Sequence, residues 1–209
     1  MQQRRVSRRI VLGVAAVALV ALAQQDNPRP TCNQCPATYI PNSELQAYAQ
    51  RAIANRIVDQ QVRSVDIGKS QVGVGIVYRG RLAPGQGEGE AVAEHDQISE
   101  VYHIIEGSAT LATGPDLVGA VRRPATLQTV REFNGPGHNA KSIVNPVTYE
   151  LKAGDAIVIP AGTGHWFTKI DDHILYLMVR IDPDKVVPLK NEAASKAYLA
   201  SPASAGKKK

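Results

Sequence analysis

Hydrophobic and polar residues change their spacing twice along the chain, and each change marks an element boundary. Leu45, Tyr48, Ala52, Ile53 and Ile57 recur near helical spacing behind Asn42 and Ser43, either of which can cap a helix, so a helix is predicted to about Gln61. From Val62 the period falls to two. Val72, Val74, Ile76 and Tyr78 alternate with Gly73, Gly75 and Val77. Short apolar runs follow at 91–95, 101–105, 108–112, 140–144, 147–151, 156–159, 165–169 and 174–180, divided by glycine, proline and Asp171-Asp172-His173, which reads as a hairpin turn. Many short strands without helices between them predict an all-β sandwich or barrel. The stretch 113–139 reads as a long loop, of the kind that often covers a binding site. After Ile181 the chain turns polar, with room for a short helix over 191–199.

These patterns divide the chain into an arm and helix (24–61), a β-barrel (62–182) and a polar C-terminal tail (183–209), preceded by a signal segment (1–23). That segment places Arg4, Arg5, Arg8 and Arg9 before an apolar run, Ile10 to Leu22, closed by Ala21-Leu22-Ala23. The run is too short for a membrane span, which takes roughly 20 residues. Cleavage and export to the periplasm or beyond are expected, with no stable span afterwards. Ser7-Arg8-Arg9-Ile10-Val11-Leu12 resembles a twin-arginine signal.

Charge alters the picture less than the total suggests. The formal net charge is +5, but the first 23 residues carry four arginines and no acid, leaving 20 basic against 19 acidic residues. A nucleic-acid binder carries its charge on the folded domain, so that class is excluded. Cys32 and Cys35 are the only cysteines. Two thiolates cannot complete a structural zinc site, and in an oxidising compartment the pair is a candidate local disulfide.

The chemistry concentrates in two segments. One runs from Ala93 through His95 and Glu100 to Gly107. The other holds Gly154, Pro160, Gly162 and His165. Their spacing resembles the cupin motifs G-x5-H-x-H-x(3,4)-E-x6-G and G-x5-P-x-G-x2-H-x3-N. The resemblance covers roughly residues 70–182. Gly89 is slightly displaced, Ala93 stands where the first histidine belongs, and Lys169 where the asparagine belongs. It implies a double-stranded β-helix, or jelly-roll barrel, with a metal set reduced to His95, Glu100 and His165.

Strand parity reaches the same trio. Residues 93 and 95 share a face, as do Glu100 and Tyr102, and as do His165, Phe167 and Lys169, whereas His103 turns away. Two imidazoles and a carboxylate with open positions suit one divalent ion, Fe, Mn, Zn, Ni or Co. Lys169, Tyr102 and His138 are candidate catalytic groups, and Tyr78, Tyr102 and Phe167 candidate pocket lining. Such a site fits a metal-dependent enzyme acting on a small molecule (oxygenase, isomerase or lyase) or a non-catalytic cupin that binds metal, sugar or another ligand. The helix and the outward residues His103 and Ile105 offer surfaces for a homodimer.

Overall fold

The computed structural model describes residues 36–85 and 92–202, which leaves the expected signal segment (1–23), Cys32, Cys35 and Gly89 outside the described residues. The elements run in the order α1 (Asn42–Asn55), β1 (Asp59–Asp66), β2 (Gln71–Leu82), β3 (Val92–His95), β4 (Ser99–Gly114), β5 (Leu117–Val118), β6 (Val121–Arg122), a π-helical turn (Val130–Asn134), β7 (Gly137–Ala140), β8 (Ser142–Ile143), β9 (Val147–Lys152), β10 (Ala156–Ile159), β11 (Gly164–Asp182) and α2 (Glu192–Ala200).

Two long strands make the barrel. The first half of β4 pairs with β10 and its second half with β9. β11 runs antiparallel beside β4 along most of its length. On its other edge β11 pairs with β2 through its second half and with β3 at His165. One wall is therefore β1-β2-β11-β4-β10, and the other is β6-β7-β3-β11-β4-β9. The two share β4 and β11, which bend from one wall into the other, as strands do where bulges interrupt the ladder. This is an all-β jelly-roll barrel with an N-terminal helix.

The bend explains a departure from the sequence reading. The runs 101–105 and 108–112 are one strand, and so are 165–169 and 174–180. His173 lies within β11, beside a register shift, and forms no hairpin turn. Opposite it, Gly107 has φ +80, and a side chain there would collide with the His173 carbonyl. The strand continues because glycine alone combines that backbone angle with so close an approach.

Between the walls lie Val77, Tyr102, Ile104, Leu111, Leu151, Ile159, Phe167, Ile174, Tyr176 and Met178. A second cluster joins Tyr48 and Ala49 of α1 to Val62, Ile76 and Leu175 on the outer face of the first wall. The helix stops at Asn55, short of Gln61, because Arg56 adopts a left-handed conformation that ends it. Neither Asn42 nor Ser43 caps it. The carbonyl of Pro41 accepts the first amide bonds, from Glu44 and Leu45.

The segment after Ile181 is likewise no simple tail. Lys190 bridges to Ser64 of β1, and α2 brings Tyr198 onto Tyr48 with ring centroids 5.2 Å apart. The supposed loop 113–139 contains β5, β6, the π-helical turn and most of β7.

Candidate metal centre

His95 ends β3, Glu100 opens β4, and His165 opens β11. The ladders bring them together: Ala93 pairs with His165, and Glu100 pairs with Arg180 on the β11 side and Ile159 on the β10 side. The amide of Gly162 donates to the His95 carbonyl at 2.7 Å, so the turn after Pro160 ties the two motifs to each other. One ligand atom from each of the three lies within 4.8 Å of the others, and the residues are 3%, 2% and 7% exposed.

The Nε2 atoms of His95 and His165 stand 3.5 and 3.4 Å from the two carboxylate oxygens of Glu100. Donors held at about 2.1 Å around a tetrahedral or octahedral ion would lie roughly 3.0–3.4 Å apart, so the spacing needs little adjustment. His165 donates from Nδ1 to the Thr163 carbonyl at 3.0 Å, leaving Nε2 with a free lone pair, the arrangement of a metal-ligating histidine. The donor set fits a divalent cation.

Glu100 lies in a polar group inside the barrel. Tyr102 donates its hydroxyl to Oε2 at 2.7 Å. Arg180, 1% exposed, places Nε 3.4 Å from Oε1 and donates to Gln61 at 2.7 Å and to Asp59. Gly73 and Gly75 make room for this group, since a side chain at Gly73 would collide with Gln61 and one at Gly75 would crowd Arg180. Burial alone would raise the Glu100 carboxyl; the surrounding imidazoles and the Arg180 cation more than reverse that and hold it below the usual range. Desolvation pushes His95 down to about 3, so it is neutral near pH 7. Burial raises the Tyr102 hydroxyl, with Glu100 beside it adding to the effect.

The other candidates divide. Tyr102 touches the trio, and Phe167 packs behind it with ring centroids 6.5 Å apart. Tyr78 does not line the site. Its neighbour Val77 takes the inward position, and Tyr78 stacks on His173 at 5.8 Å on the opposite face. Lys169 stands at the rim, its Nζ 2.9 Å from Asp171; the strand register shifts beside it and turns it to solvent. His138, a candidate catalytic group, does not join the trio. It sits on β7 and bonds Glu94 at 2.8 Å, in a separate group with Asp96. His103 is exposed, as parity requires.

Sequence reading missed Arg180 and Arg123. Arg180 was open to discovery, because Ile174, Tyr176, Met178 and Arg180 alternate onto one inward face. Arg123 gave no comparable signal, since it lies just after β6, a strand of only two residues. Two grooves, of about 390 and about 550 Å³, lie outside the barrel between residues 36–40 and β1.

No family model and no curated protein matches the chain. Among solved structures it is similar to a Bacillus halodurans protein, at 18% identity over 79% of this chain and 98% of that one, with a TM-score of 0.40. It is also similar to a hydroquinone 1,2-dioxygenase of a Sphingomonas species (11% identity; 57% and 64% covered; TM-score 0.35). A cupin protein of Bacteroides fragilis shares 14% identity, with 57% and 72% covered and a TM-score of 0.30. Likenesses this distant carry no activity across. The cupin-type fold rests on the strand pairing and on the two motifs meeting inside the barrel.

Proposed function

We propose that this chain binds one divalent metal ion through His95, Glu100 and His165 and uses it to act on a small molecule. The observation that carries the reading is the convergence of three buried donors from three strands, with His165 already turned to offer Nε2. An ion there would supply Lewis acidity and open positions for substrate, water or dioxygen. The protein's own groups have definite tasks. Tyr102 holds one oxygen of Glu100 by a hydrogen bond, Arg180 sets its charge 3.4 Å from the other, and Thr163 fixes the ring of His165. Phe167, Tyr102 and Tyr176 form an apolar wall beside the site. With Arg180 set against both Glu100 and Asp59, a divalent ion leaves this group net positive, which favours an anionic substrate or co-ligand.

The near-complete burial of the trio supports a second reading, a non-catalytic cupin in which the metal or a small ligand is held without turnover. Metal analysis of the purified mature protein, followed by oxygen uptake and turnover assays with candidate small molecules, separates the two. Metal with turnover supports the first, and metal without it the second.

Export remains part of the proposal, resting on residues 1–23, and cell fractionation with N-terminal sequencing tests it. The proposed homodimer is supported by the exposed apolar residues Ile105 and Val158 on the outer side of β4 and β10. A monomeric mass in light scattering at micromolar concentration would refute it.

A further inference from the structure

Arg123 sits directly behind the trio. Its Nη2 lies 2.9 Å from Nδ1 of His95 and donates to the Glu94 carbonyl at 2.5 Å, and the residue is 8% exposed. The chain makes a slot for it. The Arg123 amide donates to the Gly137 carbonyl at 2.9 Å, and any side chain at Gly137 would strike both the guanidinium and the Glu94 carbonyl. Next to it, Arg122 pairs with Asp96 at 2.6 Å.

A guanidinium has donors only. The nitrogen it faces must therefore accept, and the proton of a neutral His95 ring must stand on Nε2, towards Glu100. The neighbouring ligand has the opposite arrangement, because His165 gives its Nδ1 proton to a carbonyl. A histidine that binds metal through Nε2 ordinarily donates from its other nitrogen to an acceptor. In place of that acceptor, His95 has a cation.

We propose that Arg123 is a positioning residue that holds His95 in the Nε2-protonated tautomer, so that metal entry requires Arg123 to release the ring. The Nε2 proton of His95 then faces Glu100 Oε1, 3.5 Å away, in the metal-free protein, and Arg123 lowers the affinity for metal by favouring that tautomer. The tautomer claim stands on hydrogen-bond geometry alone. The affinity claim rests on the metal-binding reading above.

The test uses the mature full-length protein, metal-free and labelled with 15N at histidine. Long-range 1H–15N spectra report which ring nitrogen carries the proton, with His165 as the internal reference. The expected result is His95 protonated at Nε2 and His165 at Nδ1. A His95 proton on Nδ1 overturns the proposal and needs no variant to do so. In Arg123→Met and Arg123→Gln, with folding checked by near-UV circular dichroism, Zn2+ should bind at least tenfold more tightly than in the wild type. A merely structural role for Arg123 would loosen the site, so equal or weaker binding in both variants also overturns it. A wild-type protein that binds no Zn2+ refutes the metal-binding reading instead, and the tautomer measurement still decides the role of Arg123.

Discussion

Arg180→Met tests whether an internal cation holds the site together without metal. Arg180 is fully buried, faces Glu100 at 3.4 Å, and serves Asp59 and Gln61 with its remaining nitrogens. Methionine fills much of the same space but leaves two carboxylates without their counter-charge. Removing one partner of a buried ion pair costs about 3–5 kcal/mol. In a chain of this size each kcal/mol moves Tm by about 2–4 °C, so the metal-free variant should melt roughly 6–20 °C lower at pH 7. The assay is thermal unfolding by circular dichroism in chelator, repeated for Glu100→Gln and for the double variant. The double variant should lose clearly less than the sum of the singles, because each single leaves a charge that the double removes. Added Zn2+ should stabilise Arg180→Met more than the wild type, since the ion replaces the lost cation. A drop below 2 °C, or strict additivity in the double variant, refutes this account of Arg180.

Acid sensitivity should follow from His95. Its folded pKa of about 3 lies below the ordinary value of 6.5, so the unfolded chain binds more protons between these values. The stability is complete above pH 6.5 and falls as pH drops, by up to about 2 kcal/mol at pH 5. Glu100, also lowered, adds a loss of the same sign at more acid pH. Urea midpoints of metal-free wild type and His95→Gln should diverge in slope over this range, and parallel curves would contradict it. Gly107→Ala should cost about 1–3 kcal/mol, from its positive φ and the collision with the His173 carbonyl, as measured by chemical denaturation. Lys169→Ala should leave metal affinity within about twofold in a competition titration, because Lys169 pairs with Asp171 at the rim and any charge effect at the site is screened by solvent.

What could be read from the sequence was mostly what depends on spacing. The two motifs located the trio, and the period of two placed His103 outside and Tyr102 inside. Parity alone did not say which face of a strand is the interior. In β2 the apolar series Val72, Val74, Ile76 and Tyr78 faces the outside, where α1 covers part of it. Gly73 and Gly75 face inward, to admit Arg180 and Gln61. That reversal placed Tyr78 in the pocket on paper and on the outer face in the fold. Joined strands were also hidden. Asp171-Asp172-His173 has the composition of a turn, yet a bulge opposite Gly107 carries β11 through it. Arg123 reaches His95 only because β3, β6 and β7 pair across a stretch that carries no periodic signal. α2 was foreseen as a helix, but its docking depends on a stack between Tyr48 and Tyr198, 150 residues apart in sequence, and no local pattern records that.

The most direct test of the metal site is a titration of metal-free protein with Co2+, followed by visible absorption, in the wild type, His165→Ala and His103→Ala. The account predicts one equivalent bound by the wild type and by His103→Ala, and no stoichiometric binding by His165→Ala. Loss of binding in His103→Ala with retention in His165→Ala, or no binding by the wild type, would contradict it.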